Sequence, residues 1–208
     1  MERQGVICCS SSNRASRLHM VKKSDGSWRP CGDFRQLNTQ TQPDRYTCPN
    51  IGDLTARLAG CRVFSKLDLR KGYHQVPVRP QDVHKTAVIT PFGLFEFIRM
   101  AFGLCGAGQT FQRMMDDVLA GLEYCFCYMD DILVGSSSEE EHHRHLREVL
   151  TRLLKHGLVL NAEKCEWAKS KLSYLGHEVS ASGIRPLNCR VEAIQQFPPP
   201  TTTQLLQT

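Results

Sequence analysis

Residues 125–134, CFCYMDDILV, place two adjacent aspartates, Asp130 and Asp131, in the middle of an apolar run. Neighbouring side chains of a regular strand point to opposite faces, so both carboxylates reach one site only where the backbone turns. The β-forming residues on either side favour two buried strands that hold this turn on a sheet. The stretch therefore predicts a β-hairpin whose tip presents a pair of acids.

Two neighbouring carboxylates repel each other, and burial adds a desolvation penalty unless a cation intervenes. Hard oxygen ligands of this kind suit Mg²⁺, which binds through a few carboxylates together with substrate phosphates. The dipeptide alone still favours the simpler interpretation, an exposed Asp-Asp turn that binds nothing.

A third acid strengthens the prediction of a metal site. Asp68 lies near the end of the apolar, strand-like run VFSKLDL, residues 63–69. The stretch that follows contains Arg70, Lys71 and Gly72. A carboxylate for an ion, next to cations and backbone N–H groups for phosphates, is the chemistry that binds a metal-bound triphosphate.

The composition sets only broad bounds on function. The 208 residues carry a net charge of +5, which permits a polyanionic partner without requiring one. No apolar run approaches the roughly 18 residues of a membrane span, and the first residues lack the apolar stretch of a secretory signal. We therefore expect an intracellular protein without membrane contact. The ten cysteines show no CxxC spacing, which favours free buried thiols over disulfides or zinc.

Strand and helix patterns alternate irregularly along the chain, without a repeat. Hairpins are predicted for 18–34, with a turn at 24–27, and for 172–186, and a further hairpin is predicted from the extended runs 75–78, 85–90 and 92–99. Helices are predicted for 50–60, for 106–123, and from the capping box of Ser138 and Glu141 to Gly157. Residues 198–208 resemble a linker. This order predicts an α+β fold rather than a doubly wound sheet.

Two other groups of polar residues are expected to face solvent. His142, His143 and His145 begin a charged helix without further candidate ligands nearby, so a solvated face is favoured over a zinc site. Asp116 and Asp117 fall in the predicted helix 106–123, outside the cluster of acids.

Five motifs occur in the order found in reverse transcriptases, and the chain resembles those of gypsy-type LTR retrotransposons over nearly its whole length. In chain order the motifs are VKKSDGSWRPCGDFRQLN (21–38), KLDLRKGYHQVPV (66–78), FGL and TFQR (within 102–113), YMDD (128–131) and YLGH (174–177). The resemblance implies a right-hand polymerase fold with fingers, a palm and only the start of a thumb. The implied divisions are fingers 1–45 and 76–106, palm 46–75 and 107–184 with a primer-grip hairpin, and a truncated thumb or linker start 185–208.

The resemblance also implies an activity, RNA-directed DNA polymerisation by a two-metal mechanism. Asp68, Asp130 and Asp131 match the catalytic triad, which binds two Mg²⁺ ions, with Mn²⁺ as an alternative. One ion activates the primer 3′-hydroxyl and the other stabilises the departing pyrophosphate. The family assigns the shared metal contacts chiefly to Asp68 and Asp130.

Further residues match positions that contact the substrates in this family. Tyr73 matches the aromatic residue that lies under the nucleotide sugar and excludes a 2′-hydroxyl, although a packing role is the alternative. Arg29 matches the arginine on the triphosphate, joined by Lys22 or Lys23, and the hairpin length leaves this choice open. The other implied nucleotide contacts are Leu69, Lys71, Gly72, Phe102 and Gly103. The implied primer and template contacts are Tyr128, Met129, Tyr174, Leu175, Gly176 and His177.

The implied partners are an RNA or DNA template with its primer, deoxynucleoside triphosphates, and RNase H and integrase in one polyprotein. The implied location is the cytoplasm, including virus-like particles. Several positions depart from the family pattern, among them Ala101, Gly106 and Gly108, where proline, asparagine and proline are typical. Replacing a proline with glycine or alanine lowers the free energy of unfolding by about 1 kcal/mol.

These departures leave open an alternative function, in which the chain is a decayed remnant that binds nucleic acid without catalysis. A metal-dependent phosphohydrolase explains Tyr73 and the basic hairpin less well. The intact acids, Arg29 and Tyr73 favour the polymerase.

Overall fold

A computed structural model describes residues 1–22 and 26–196 of the chain. Lys23, residues 24 and 25 of the first predicted turn, and the predicted linker 198–208 lie outside the described residues. Within that part the strands are β1 (Ile7–Cys9), β2 (Ser16–Lys22), β3 (Trp28–Gly32), β4 (Val63–Asp68), β5 (Val88–Thr90), β6 (Gly93–Phe97), β7 (Cys125–Tyr128), β8 (Asp131–Ser136), β9 (Glu166–Lys169), β10 (Lys171–Tyr174), β11 (His177–Ser180) and β12 (Gly183–Pro186). The α-helices are α1 (Arg35–Thr39), α2 (Ile51–Arg57), α3 (Pro80–Val83), α4 (Ala107–Val118), α5 (Glu139–Lys155) and α6 (Asn188–Gln195), and short 3₁₀ turns cover Glu2–Gln4, Gly72–Gln75, His84–Thr86 and Ala162–Lys164.

The central sheet has the strand order β7-β8-β4-β9, with antiparallel pairing throughout. Strands β7 and β8 form the predicted hairpin, with Tyr128 paired to Asp131 and with Met129 and Asp130 at the tip. Strand β4 pairs with β8 over its whole length, from Val63 opposite Ser136 to the last pair of the ladder. The predicted hairpin is confirmed, and its neighbour in the sheet is the strand that carries Asp68.

Both faces of the central sheet are covered by apolar side chains. On one face, Leu67 and Ile132 pack with Phe111 and Met115 of α4 and with Val149 of α5. A fully buried apolar side chain of this size contributes about 1.5–3 kcal/mol. This packing makes the sheet a rigid support for its hairpin tip.

The opposite face of the central sheet packs against α2 and the meander β10-β11-β12. Phe64, Phe126 and Leu133 contact Leu54 and Tyr174 there. The meander contains the predicted hairpin and adds a third strand to it. The tip of the β7-β8 hairpin therefore lies beside the turn that joins β10 to β11.

A second sheet has the order β1-β6-β5-β2-β3, in which only β2 and β5 run parallel within the described residues. The predicted hairpins β2-β3 and β5-β6 are confirmed. The prediction of a strand at 75–78 is wrong, because Gln75 ends a 3₁₀ turn and Pro77 forms only an isolated bridge with Arg99. The bridge is not continued, because the Val76 N–H closes the 3₁₀ turn on one side and Pro80 begins α3 on the other.

The two long helices differ from their predictions mainly at their ends. Helix α4 stops at Val118, five residues before the predicted end, and Gly121 adopts a positive φ of 77° in the turn that follows. At the start of α5, the Ser138 hydroxyl accepts a hydrogen bond from the N–H of Glu141, as predicted. The Glu141 carboxylate accepts from Ser137 rather than closing the capping box on Ser138.

The prediction that all three helix histidines face solvent is wrong. His142 is only 1% exposed, and its ring nitrogens lie 2.7 Å from the Ser65 Oγ and 2.8 Å from the Ser136 Oγ. The ring of His145 stacks on Tyr124 at a centroid distance of 3.5 Å, and only His143 is exposed. The reason is helical spacing, because residue 142 lies on the same face of α5 as the packed residues 146, 149 and 153.

The remaining predictions about class agree with the fold. The mixed helices and sheets are those of an α+β protein, as predicted. All ten cysteines are free thiols, but only Cys125 and Cys127 are buried and Cys9, Cys105 and Cys189 are exposed, so the prediction of buried thiols is wrong for most of them. No helix in residues 1–22 and 26–196 has the length and apolar character to cross a membrane.

Candidate active site

The three predicted acids lie together at one edge of the central sheet. Asp68 ends β4 and is the direct cross-strand partner of Asp131, which begins β8. Directly opposed side chains point to the same face of a sheet, with Cβ atoms about 4.5–5.5 Å apart. The tip is tied to the same strand end, because the Leu69 N–H donates to the Asp130 carbonyl at 3.2 Å.

The surroundings of Asp131 raise the pKa of its carboxyl group. Burial raises the pKa of Asp131, the nearby Lys66 opposes that effect, and the charges of Asp130 and Asp68 raise the pKa further. The Lys66 Nζ lies 3.6 Å from the Asp131 Oδ1. Asp130 is exposed at the tip, whereas Asp68 and Asp131 are half-buried.

The carboxylates fit a hard divalent cation in their chemistry, since all three offer oxygen ligands. Among the described residues, however, no group of three His, Cys, Asp or Glu side chains already converges as a ligand set. The Asp131 side chain pairs with Lys66 instead. A cation shared by the three acids therefore requires their side chains to reorient on a backbone that already places them together.

A buried glutamine holds the tip of the hairpin. Met129 has a positive φ of 55°, a conformation that is uncommon outside glycine. Its N–H donates to the Gln112 Oε1 at 2.7 Å, and the Gln112 Nε2 donates to the Cys127 carbonyl at 2.9 Å. Gln112 is fully buried, and the sequence analysis assigned it no role. The sequence does contain one indication of this role, because Gln112 is a polar residue on the apolar face of α4.

The two aspartates of α4 differ in their surroundings. Asp117 is exposed, as predicted. Asp116 is half-buried and accepts hydrogen bonds from the Tyr46 hydroxyl at 2.6 Å and from the Gln112 Nε2 at 2.9 Å. The prediction that Asp116 faces solvent is therefore wrong, because it serves as the acceptor that orients Gln112.

The turn between β10 and β11 contains the predicted primer residues. Tyr174 has no exposed surface, and its hydroxyl donates to the Asp131 carbonyl at 2.9 Å. As placed, the Tyr174 side chain supports the hairpin of acids, and its contact with a primer stays a prediction. Leu175 and Gly176 both have positive φ, and the Arg190 guanidinium occupies the space that a side chain at Gly176 would need.

A cleft of about 430 Å³ lies between this turn and Asp131. Its lining contains the half-buried Tyr128 together with Lys66, Asp131, Ser173, Leu175, Gly176 and Arg190. His177 lies next to it in β11 and is half-buried. Three of the six predicted primer residues, Tyr128, Leu175 and Gly176, thus share one cleft with Asp131.

The predicted nucleotide residues lie on the other side of the tip. A Cβ added at Gly72 would come within 3.0 Å of the Phe111 ring and 3.1 Å of the Asp130 Cβ, so glycine allows this close approach. The Tyr73 ring contacts Phe111 and Phe102 at centroid distances of 5.4 and 5.1 Å. Burial is the main cause that raises the pKa of Tyr73.

The basic hairpin β2-β3 reaches the same aromatic group. The Arg29 guanidinium lies 4.7 Å from the centroid of the Phe102 ring, which is a cation–π contact. Lys22 is exposed at the end of β2, and Lys23 lies outside the described residues. Arg29 and Tyr73 therefore share Phe102 as a neighbour, so the structure brings the two predicted contacts together.

Asn38 fixes the loop that carries Phe102, a role that the sequence analysis missed. Its side chain donates to the Gly103 carbonyl at 2.8 Å and accepts from the Cys105 N–H at 2.8 Å. Gly103 has a φ of 94°, and a Cβ there would lie 2.8 Å from the Gly32 carbonyl oxygen. Only glycine fits this close backbone approach.

Two predicted nucleotide residues are engaged within the chain. The Leu69 side chain is buried in the core, and its N–H donates to the Asp130 carbonyl. Neither group is available to a nucleotide in this arrangement, and the predicted Leu69 contact stays a prediction. Lys71 has a positive φ of 51°, and its Nζ donates to the Gln4 Oε1 at 3.0 Å. Lys71 is exposed, so its ammonium is accessible to a phosphate.

The antiparallel sheet with its paired acids, the flanking second sheet and the basic hairpin define a chain with the palm and fingers fold of a polymerase. The sequence profile described as "Reverse transcriptase (RNA-dependent DNA polymerase)" matches residues 21–179. The chain belongs to this reverse transcriptase family, whose members depend on a divalent metal. The predicted family is confirmed.

The similar proteins are polyproteins of transposable elements. The chain is 40% identical over 208 residues to the retrovirus-related Pol polyprotein from transposon 297 of Drosophila melanogaster, covering 97% of this chain and 20% of that protein. It is 34% identical to the transposon Tf2-3 polyprotein of Schizosaccharomyces pombe, covering 99% and 16%. The chain thus spans at most about a fifth of these curated relatives.

Solved structures of a foamy viral protease-reverse transcriptase share the fold. The complex of its dRH form with double-stranded DNA has a TM-score of 0.90 at 23% identity, covering 99% of this chain and 36% of that chain. The complex of that protein with an RNA/DNA hybrid has a TM-score of 0.84 at 22% identity, covering 99% and 28%. The predicted fold class is confirmed by this likeness.

Proposed function

We propose that this chain is the catalytic part of an RNA-directed DNA polymerase from the Pol polyprotein of an LTR retrotransposon. It adds deoxynucleotides to a primer 3′-hydroxyl on an RNA or DNA template. The observation that carries the proposal is the pairing of Asp68 with Asp131, next to the exposed Asp130, in a chain of the reverse transcriptase family.

The proposed division of the chain follows its sheets. The fingers are residues 1–45 and 76–106, which contain the second sheet and the basic hairpin. The palm is residues 46–75 and 107–184, which contain the central sheet and end in the primer-grip meander. Residues 185–208 begin the thumb.

Asp68, Asp130 and Asp131 would hold two Mg²⁺ ions, with Mn²⁺ as a substitute. When bound, such ions lower the pKa of the attacking hydroxyl and neutralise charge on the departing pyrophosphate. The protein supplies the positions of the carboxylates, through the β4-β8 pairing and through the bond of Gln112 to the tip. Positioning of this kind removes much of the entropic cost of the reaction.

The incoming deoxynucleoside triphosphate would lie between the acids and the basic hairpin. Arg29, with Lys22 or Lys23, would bind its phosphates, because a guanidinium forms paired charge-assisted hydrogen bonds with phosphate oxygens. Tyr73 would lie under the sugar and exclude a 2′-hydroxyl. Lys71, Gly72, Phe102 and Gly103 would complete the pocket.

The primer end would occupy the cleft beside Asp131. Tyr128 and Met129 would contact its terminal nucleotide, and Leu175, Gly176 and His177 would contact its backbone. The full protein would carry RNase H and integrase in the same polyprotein. It would act in the cytoplasm, including virus-like particles.

Primer extension on an RNA template tests this proposal. We expect the wild-type chain to extend a DNA primer with Mg²⁺ or Mn²⁺ and to release pyrophosphate. Asp130→Asn should lower the extension rate at least about 10³-fold, which corresponds to roughly 4 kcal/mol of transition-state stabilisation. Duplex binding should be retained, and Asp117→Asn, an exposed acid of α4, should behave as the wild type.

Two results would contradict the proposed polymerase, and each would favour a different function. A wild-type chain that binds duplex but does not extend it even with Mn²⁺ would be a non-catalytic remnant. Release of inorganic phosphate from the nucleotide, without primer extension, would indicate a phosphohydrolase.

A further inference from the structure

A lysine shares the sheet edge with the three acids. Lys66 lies two residues before Asp68 in β4, so both side chains emerge on the same face of the sheet. The Lys66 Nζ lies 3.6 Å from the Asp131 Oδ1, and the two side chains are 25% and 29% exposed. This ion pair is partly shielded from water, unlike the pair of Lys85 with Asp82, which lies outside the cleft.

We propose that Lys66 is the resident counter-ion of Asp131, which holds this carboxylate while no divalent cation is bound and competes with the cation for it. The inference rests on the proposed function, because it takes the three acids as the metal ligands. Lys66 is then a positioning residue that sets how tightly the site binds its metal.

The backbone around Asp131 is fixed, so only side chains exchange partners. The Asp131 carbonyl accepts a hydrogen bond from the buried Tyr174 hydroxyl, and the residue is paired on both sides, with Tyr128 and with Asp68. A lysine ammonium sits on a flexible four-carbon stem, so it can withdraw without a change of backbone. The cleft of about 430 Å³ gives it the space.

The competition is electrostatic. In the absence of a cation, the ammonium offsets part of the repulsion among three clustered carboxylates. In the presence of a divalent cation, the same ammonium repels the ion across a few ångströms. Removing one positive charge at this distance should strengthen divalent binding by about tenfold, with a water-like effective dielectric.

Titration of the full chain with Mn²⁺ tests the inference, with free Mn²⁺ followed by electron paramagnetic resonance and no nucleotide or primer present. Lys66→Met should bind Mn²⁺ about tenfold more tightly than the wild type. Lys66→Arg, which keeps the charge, should restore the wild-type affinity. Lys171→Met removes an exposed lysine that pairs with Glu178 at 2.9 Å and should leave the affinity unchanged.

The outcomes separate the inference from the proposed function. If Asp130→Asn weakens Mn²⁺ binding while Lys66→Met leaves it unchanged or weaker, the role of Lys66 is overturned and the metal site stands. If Asp130→Asn and Asp131→Asn both bind Mn²⁺ as the wild type does, the acids are not the ligands, and the proposed function is overturned with the inference.

A measurement on the wild-type chain covers the case in which Lys66→Met does not fold. Reductive ¹³C-methylation labels the lysines and keeps their charge. The Lys66 signal, assigned by its absence in Lys66→Arg, should shift on addition of Mg²⁺, while the Lys171 signal should not. A Lys66 signal that stays in place at saturating Mg²⁺ would overturn the inference.

Discussion

At the hairpin tip, one buried side chain holds the backbone that presents the acids. Gln112 uses its amide oxygen for the Met129 N–H and its amide nitrogen for the Cys127 carbonyl and for Asp116. A buried polar group that loses its partner costs about 1–3 kcal/mol. Gln112 therefore acts on the acids through the positive-φ conformation of Met129, without contacting substrate.

Replacing Gln112 tests this role. Gln112→Leu keeps the size of the side chain but leaves the Met129 N–H and the Cys127 carbonyl without their partner. We expect the rate of primer extension to fall about 10–100-fold, as for other residues that orient ligands. Gln36→Leu, at an exposed glutamine of α1, should retain wild-type extension. Equal rates for Gln112→Leu and the wild type would show that the tip needs no such support.

Two of the departures from the family pattern are accommodated in the structure. Gly106 precedes α4 with a φ of 76°, a conformation that glycine and asparagine both adopt. At Gly108, a Cβ would lie 3.0 Å from the Met129 Cε, so glycine leaves room for the methionine of the tip. Neither position therefore argues for decay of the active site.

Sequence patterns predicted the acids better than the residues that hold them. Asp68, Asp130 and Asp131 stand out because a carboxylate interrupts an apolar run. Gln112, Asn38 and the Tyr174 hydroxyl act through partners that are distant along the chain, and local spacing does not indicate such partners. The roles of the acids as metal ligands stay predictions.

Helix α5 shows what element-scale patterns capture and where they fail. Its capping serine and its apolar spacing predicted the helix, with residues 146, 149, 150, 153 and 154 on its packed face. Residues 146, 149 and 153 do pack against the core, but Leu154 is 78% exposed, so that part of the prediction is wrong. The same spacing continues back to residue 142, where residue type alone misled the prediction toward solvent. For 75–78, the extended run makes a single bridge with residues 98–100 and goes no further, because a 3₁₀ turn precedes it and α3 follows it.

The buried histidine of α5 connects the helix to two strands of the central sheet. With His142 neutral and its proton on Nδ1, the Ser65 hydroxyl, which accepts from the Ala168 N–H at 2.9 Å, can donate its own proton to the His142 Nε2. The His142 Nδ1–H then donates to the Ser136 Oγ, whose proton reaches the His145 Nδ1. This order uses every hydroxyl proton and requires neutral His142.

This arrangement predicts a pH-dependent stability. Burial, followed by the neighbouring His145 and His143, lowers the pKa of His142 below its ordinary value of 6.5. The strands opposite contribute only the hydroxyls of Ser65 and Ser136 to its ring. In the unfolded chain His142 takes up its proton first, so the stabilisation is complete above pH 6.5 and is lost as the pH falls below that value.

Urea unfolding at pH 7.5 and pH 5.5 measures the effect. The wild-type free energy of unfolding should fall on acidification by more than that of His142→Gln, which has no titrating ring. His156→Gln, at an exposed position that does not act on His142, should retain the wild-type difference. The same pH dependence in His142→Gln and the wild type would contradict neutral burial of His142.

At the scale of the molecule, the fold joins strands that are far apart in sequence. Local patterns predicted most of the strands and the α+β class, but the strand order β7-β8-β4-β9 does not follow from them. The pairing of β4 with β8 joins Asp68 to Asp131 across more than sixty residues, and only the resemblance to reverse transcriptases implied it. Burial on both faces then fixes this pairing.

The central claim is that Asp68, Asp130 and Asp131 form one divalent metal site, and cleavage by bound iron locates such a site directly. Fe²⁺ with ascorbate and peroxide generates radicals at the metal, and mass spectrometry maps the cuts. We expect cuts near residues 68 and 129–131, suppressed by excess Mg²⁺, abolished by Asp130→Asn and retained in Asp117→Asn. Cuts that persist in Asp130→Asn, or that occur only at His143 and its neighbours, would contradict the account.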